Sequence, residues 1–229
     1  MKITPAPNPT WRPGDRINSP VSQMVSISPD TLDPAAAYKI LIGSIVPRPI
    51  AFVSTLNDNG TVNVAPFSFF NGVSSRPLAV MLAISFKPNG SKKDTLINIE
   101  RSKEFVVNTV GDWMVEPMNF CSAEYPYGVS ELEKVGLTSI KSDVVAPPRV
   151  RESPVHFECR LHSLTQVGQA QAGASTVIIG EVVKCHIHQA AWSDGKLVIE
   201  ELKPISRLGG LFYSTVESGF ELERAKVQP

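Results

Sequence analysis

Val62-Asn-Val-Ala-Pro-Phe-Ser-Phe-Phe-Asn-Gly-Val-Ser-Ser-Arg-Pro77 leaves a strand, meets Pro66, and then strings aromatics between small polar residues before a glycine turn. Pro66 has no backbone N–H and biases Ala65 toward an extended shape, so this segment does not simply continue an inner ladder. Its remaining N–H and C=O groups still need partners. A backbone edge flanked by Phe67, Phe69 and Phe70 suits a flat heteroaromatic ligand, whose rim takes hydrogen bonds and whose faces take apolar cover. The plain alternative is a bulged strand with its aromatics in the core.

Working outward, residues 50–56 read as an apolar strand, Asn57-Asp-Asn-Gly60 as a turn, and residues 61–65 as the returning partner. Residues 78–86 form a nearly continuous apolar run that predicts burial. Residues 105–110, 155–167 and 176–188 read as further strands, the last two separated by a Gly/Ala/Ser tract. Asp194-Gly195 predicts a hairpin turn before a strand at 197–202, and residues 204–213 lead through Arg207-Leu-Gly-Gly210, a tight backbone approach or simply a turn. Helices are expected after Asp33-Pro34, where an N-cap precedes proline at the first helical position, with Gly43 as the stop. Others are expected over 94–101, 113–123 and 130–136, with Asp94 capping the first of these and Ser130 with Glu133 forming a capping box on the last. Strands joined by turns, with few helices and no repeated βα alternation, predict a mainly β protein, an antiparallel barrel with flanking helices.

The 229 residues, 42% hydrophobic and 19% charged, predict one large folded domain (26–215) behind a proline-rich extended arm (1–25) and ahead of a polar tail (216–229). Trp11 and Ile17 are the arm residues suited to pin it to a surface. Lys+Arg and Asp+Glu are equal at 22 each, so neither a nucleic-acid footprint nor an acidic tail is present. No apolar run is long enough for a membrane span, and the polar, proline-rich start does not read as a signal peptide. Cys121, Cys159 and Cys185 are odd in number and widely spaced, which predicts a reducing, cytoplasmic setting and inert thiols.

The loop before the 94–101 helix is the phosphate candidate. A helix N-terminus offers free N–H groups and partial positive charge, and Lys92, Lys93 and the Thr95 hydroxyl stand beside it. The alternative is a solvated turn. His186 and His188 alternate on a strand, and His156 and His162 also sit at even spacing, but neither pair makes a metal site alone and no metal is expected. There is no GxGxxG, no GxxxxGK[ST] and no GxSxG, and no readable carboxylate pair, so no catalytic side chain is assigned. A chain suited to something flat and phosphorylated, yet without acid/base machinery, points to chemistry carried by a cofactor.

Pro47-Arg-Pro-Ile-Ala-Phe-Val-Ser-Thr55, Asn63-Val-Ala-Pro-Phe-Ser-Phe-Phe-Asn71, Lys93-Asp-Thr95, Phe105-Val-Val-Asn108, Gly180-Glu-Val182 and Arg207-Leu-Gly-Gly210 occur in family order between Leu32 and Tyr213. In them the chain resembles the flavin-reductase-like family with an FMN-binding split barrel, in the branch of flavoredoxins and the reductase components of two-component monooxygenases. The resemblance implies an antiparallel split β-barrel and noncovalent FMN at a homodimer interface. By position, Ala65, Pro66, Phe67, Ser68, Phe69 and Phe70 would line the isoalloxazine, and Ser54 and Thr55 would lie near the ring or ribityl chain. Lys93 and Thr95, helped by Ser85 and Lys92, would hold the phosphate. Arg48 and Arg207 would face the phosphate, a nicotinamide phosphate or the partner subunit. The implied activity is hydride transfer from NADH or NADPH to FMN, with a monooxygenase or redox protein as a possible further partner. The rivals are a flavoredoxin-like carrier with tightly held FMN and a protein redox partner, and a non-catalytic ligand-binding barrel.

Overall fold

The computed structural model describes residues 1–225. One antiparallel sheet of seven strands dominates it. The strands are β1 (Ala51–Leu56), β2 (Val62–Phe67), β3 (Phe70–Ser75), β4 (Leu78–Ser85), β5 (Glu104–Asn108), β6 (Val155–Val167) and β7 (Ser175–Ile187), in the spatial order β2-β1-β5-β6-β7-β4-β3. Thus β2 and β3 lie at opposite edges, yet only Ser68 and Phe69 separate them along the chain. Seven flat strands would span about 29 Å. Phe67 and Phe70 can be at most about 11 Å apart. The sheet must therefore roll until its edges approach. Among the described residues no ladder joins β2 to β3 or β4, so the seam stays open. At the crossing, the Ala83 N–H of β4 donates to the Phe69 carbonyl at 2.8 Å.

The strand through Pro66 runs further than its proline suggested. Phe52 pairs with Pro66 and Ala51 with Phe67. This is allowed because β2 is an edge strand. Val64, two residues earlier and on the same outward side, donates its N–H to Glu131 Oε2 at 3.0 Å.

Two cores follow from the period-two alternation. Ala51, Val53, Leu82, Ile84, Phe105, Val107 and Ile178 fill the inside of the roll, sealed by Leu96 and Ile99 of helix α2 (Asp94–Ser102). Phe52, Val64, Met114, Met118 and Leu132 pack outside, under α3 (Val115–Phe120) and α4 (Glu131–Lys134). Because β1 is covered on both faces, Ala51 to Thr55 are all buried, the polar Ser54 and Thr55 included.

Helix α1 spans Pro34–Ser44, and the Asp33 carboxylate accepts from the Ala36 N–H as an N-cap should. It runs one residue past Gly43. Only Ile42 of its residues is buried. Several local expectations fail. Ser130 precedes α4 but its hydroxyl caps nothing and has no partner. Asp94 is inside α2, whose N-cap is Lys93, and it binds Lys87 instead. The stretch expected as a strand at 197–202 holds the short helix α5 (Ile199–Leu202). The arm is pinned by neither Trp11 nor Ile17, which are exposed, but by Lys2–Ile3 pairing in parallel with Ser218–Gly219 of the tail. The last four residues of the expected tail lie outside the described ones. No described helix is long and apolar enough to cross a membrane.

Candidate functional site

The crossing at Ser68–Phe69 is held by Arg48. This buried guanidinium donates to the carbonyls of Ile42 and Ile45 at the end of α1, to Leu208 O at 2.9 Å, and to Ser68 Oγ at 3.3 Å. Burial, against an opposing effect from Tyr38, lowers its pKa, though a guanidinium stays charged. Its hydrogen bonds are directed at the protein itself, so Arg48 positions the crossing and lines no described cavity. Arg207 is the antiparallel cross-strand partner of Arg48. It stacks over Tyr213 at 4.4 Å and lines a cavity of about 210 Å³ with Pro66, Phe67 and Ser68.

Lys93 is the hinge of the arrangement. It is the N-cap of α2 and lines two cavities at once. The smaller, about 120 Å³, is bounded by Ala65, Pro66, Phe67, Thr95, Cys121 and Glu131, among others. The larger, about 930 Å³, is bounded by Tyr38, Leu41, Phe69, Ser85 and the loop between β6 and β7. The Lys93 ammonium stands 5.8 Å from the Phe67 ring centre. Burial depresses its pKa, with Glu124 opposing and Lys87 reinforcing. Among the described residues it has no carboxylate partner, whereas Lys87 is paired with Asp94 at 2.9 Å and Lys92 with Glu100 at 2.6 Å.

Thr95 is buried, and its hydroxyl oxygen accepts from Asn63 Nδ2 at 3.0 Å. The hydroxyl hydrogen therefore remains to be donated. The N–H groups of Asp94 and Thr95 belong to the first turn of α2, where helices have no internal acceptors. Together they form an anion-binding set: two backbone N–H groups, one hydroxyl and one unpaired ammonium.

Of the residues expected from sequence, the structure gathers Ala65, Pro66, Phe67, Lys93 and Thr95 around the smaller cavity and Phe69 and Ser85 around the larger. Ser68 and Arg207 share the third cavity. It does not bring the others there. Ser54 and Thr55 are fully buried, Ser54 donating to Pro148 O and Thr55 accepting from Asn63 and Asn98 below the anion site. Lys92 turns along α2 to Glu100, and Phe70 packs against the inner core.

Sequence reasoning missed Tyr38, whose ring centre is 6.3 Å from that of Phe69, and Glu131. It also missed the β6–β7 loop. The Gly/Ala/Ser composition of that loop was the signal: a Cβ on Gly173 would lie 3.3 Å from Pro34 Cβ, so the loop rests against α1.

The histidines resolve differently from expectation. Register shifts between Glu158 and Cys159 and between Leu161 and Ser163 interrupt β6, and His156 is buried while His162 is exposed. His186 is half-buried and binds Glu158 at 2.6 Å. Asp143, Glu158 and His186 offer ligand atoms within 4.8 Å of one another. Yet Glu158 already accepts from the N–H groups of Asp143, Val144 and Val145, and Arg149 and Lys184 neutralise the carboxylates. Glu158 is thus a carboxylate already satisfied by protein donors. A cleft of about 810 Å³ beside it is lined by Pro154, His156 and Ile187, while the larger site cavity is lined by Val167 and Ser175. The two openings are at opposite ends of a hairpin about 40 Å long. Cys121 and Cys159 are buried, and burial pushes the Cys121 thiol up to about 12, whereas Cys185 is exposed.

A protein-family profile described as "Flavin reductase like domain" matches residues 42–199. An uncharacterized protein of Halalkalibacterium halodurans is 37% identical over 204 residues, which cover 89% of this chain and 98% of its own. Among solved structures, nitrilotriacetate monooxygenase component B from Bacillus cereus superposes with a TM-score of 0.84 at 36% identity, covering 88% of this chain and 100% of its own. The 2-nitrobenzoate 2-nitroreductase NbaA of Pseudomonas fluorescens gives 0.79 at 29% identity, over 90% of this chain and 98% of its own.

Proposed function

The chain belongs to the flavin-reductase-like family, and we propose from that premise that it is an NAD(P)H:flavin oxidoreductase holding FMN noncovalently in a split barrel. The observation that carries this reading is that Lys93 lines both a phosphate-sized cavity at the head of α2 and a larger aromatic one. The residues present fit the group. The unpaired ammonium, the Thr95 hydroxyl and the first-turn N–H groups suit a phosphate monoester, and about 120 Å³ suits one phosphate better than a dinucleotide. Tyr38 and Phe69 offer apolar cover for a ring, and Ser85 offers a hydroxyl.

When bound, the flavin supplies two-electron chemistry, accepting hydride from a nicotinamide. The protein's own residues bind and orient. Arg48 fixes Ser68 at the crossing, Lys93 and Thr95 anchor the charged tail, and the β6–β7 loop narrows the approach of water.

The same reading includes a homodimer. The uncovered face of α1 carries exposed Ile40, Leu41 and Ile45. It continues into Leu211 and Phe212, 88% and 72% exposed. Leu41 also borders the aromatic cavity, so a second copy seated here would stand against the ring site. Unpaired cysteines support a reducing, cytoplasmic setting.

The test is fluorescence titration of the apoprotein with FMN, followed by anaerobic mixing of the loaded protein with NADH or NADPH. Saturable FMN binding is expected. In the Lys93→Ala/Thr95→Ala protein it should weaken about 100-fold, the loss of one or two charge-assisted hydrogen bonds, while riboflavin affinity holds. Reduction by a nicotinamide should bleach the bound flavin. Failure to bind FMN ends the reading, and binding without reduction turns it to a flavoredoxin-like carrier.

A further inference from the structure

Glu131 faces the phosphate-sized cavity, and nothing above gives it a role toward the ligand. It is 7% exposed and opens α4. Its Oε2 is committed to the Val64 N–H of the edge strand. Its Oε1 meets no donor from another residue among the described ones, yet it is not one of the sealed, unpartnered atoms, which are Ser130 Oγ and His156 Nδ1. One carboxyl oxygen is therefore fixed by the backbone, and Glu131 borders the same cavity as Lys93 and Thr95.

The charges facing this carboxyl come from three places. Lys93 and Asp94 lie at the head of α2, Lys87 in the loop before it, and Glu124 with the Cys121 thiol and Tyr125 in the segment after α3. Lys87 and Asp94 neutralise each other. Lys93 is left against Glu124 and Glu131. Burial raises the Glu131 carboxyl above its ordinary range, the Val64 N–H and its own N–H oppose this, and Asp94 adds to it.

In its dianionic form a phosphate entering here brings two negative charges and only acceptor oxygens. Opposite an ionised carboxylate it meets like charge, with no hydrogen between the two groups. Opposite a protonated carboxyl it meets an O–H donor. We propose that Glu131 is a further cofactor-contacting residue that holds the FMN phosphate in its protonated form, so that phosphate binding draws a proton onto Glu131. This deepens the flavin reading and rests on it. The balance is simple: one proton from solvent adds to Oε1, and no other bond changes. A carboxyl whose pKa is raised by the ligand grips fully below its free value, and the grip is lost as pH rises through the bound value.

Calorimetric titration in two buffers of different ionisation enthalpy counts the protons taken up. Wild type should take up more protons with FMN than Glu131→Gln does, and riboflavin, lacking the phosphate, should show no such difference. Between about pH 6 and about pH 8 wild-type FMN affinity should fall about tenfold further than that of Glu131→Gln, in which only the phosphate's own step near pH 6 remains. Equal proton uptake and parallel pH profiles in the two proteins overturn the role of Glu131 while leaving the flavin site standing. No FMN binding in wild type overturns both. Should Glu131→Gln fail to fold, wild type alone decides. At about pH 7.5, where the phosphate is already largely dianionic, FMN must still take up more protons than riboflavin, and equal uptake overturns the inference.

Discussion

Glu158 carries a full charge with no exposed surface, and its surroundings explain why that is tolerable. Burial pushes its carboxyl pKa up, but the Asp143 N–H, the His186 ring and the N–H groups of Val144 and Val145 together outweigh burial and hold it below the usual range. The stabilisation this gives is present above the unfolded value of about 4.3 and is lost as pH falls through the folded value. Glu158→Gln keeps the shape but loses the charge that three N–H groups and His186 address. It should cost about 3 kcal/mol near neutral pH, and the difference from wild type should shrink as pH falls below about 4, read from urea unfolding across pH. An unchanged difference at low pH would assign the cost to packing instead. Nothing in the local sequence marks Glu158 for this task, since its partners are 13 to 28 residues away. The phosphate residues are the opposite case. Lys93 and Thr95 stand beside each other at a helix start, so their chemistry is legible in a few residues.

At the scale of elements, alternation and punctuation carried most of the reading. Asp33-Pro34 opens α1, Asn57 to Gly60 turns β1 into β2, and β6 and β7 run as expected to within a residue or so. The errors share a cause. Short apolar runs such as Ile199–Leu202 have no period long enough to separate helix from strand. Ser130 has the spacing of a capping box, but the Glu131 beside it is turned to the edge of β2. Gly180, within β7, shows what an element demands of one position. An added Cβ would come 2.3 Å from Phe105 Cζ and 3.3 Å from Cys159 Cβ, both in the inner core. Gly180→Ala should destabilise by about 1–3 kcal/mol, lowering the melting temperature by several degrees in a chain this long. A melting temperature equal to wild type would mean that the Phe105 ring moves aside freely.

For the whole molecule, Arg48 ties the end of α1 to Leu208, and Gly209 approaches so closely that its missing Cβ would sit 3.3 Å from Gly43 Cα. That contact brings the strongly exposed Leu211 and Phe212 beside the exposed Ile40 and Leu41 of α1, and we propose that a second copy covers them. Wild type is expected to run as a dimer by light scattering, and Leu211→Glu/Phe212→Glu to halve the mass. A monomeric wild type would leave that surface without a second copy. The sequence by itself determined six of the seven strands of the main sheet (all but β3), the Asn57 to Gly60 turn, the helix that opens at Lys93, and the aromatic stretch around Pro66, because each depends on neighbours a few residues apart. Only the tertiary structure decided that the two sheet edges meet at Ser68–Phe69, that Thr55 lies beneath the site instead of in it, that Lys93 faces two cavities while Lys92 faces neither, and that Glu131 closes one of them. Those outcomes depend on how far a seven-stranded sheet rolls and on which distant side chains the roll brings together, and no local pattern of residues encodes a distance across the fold.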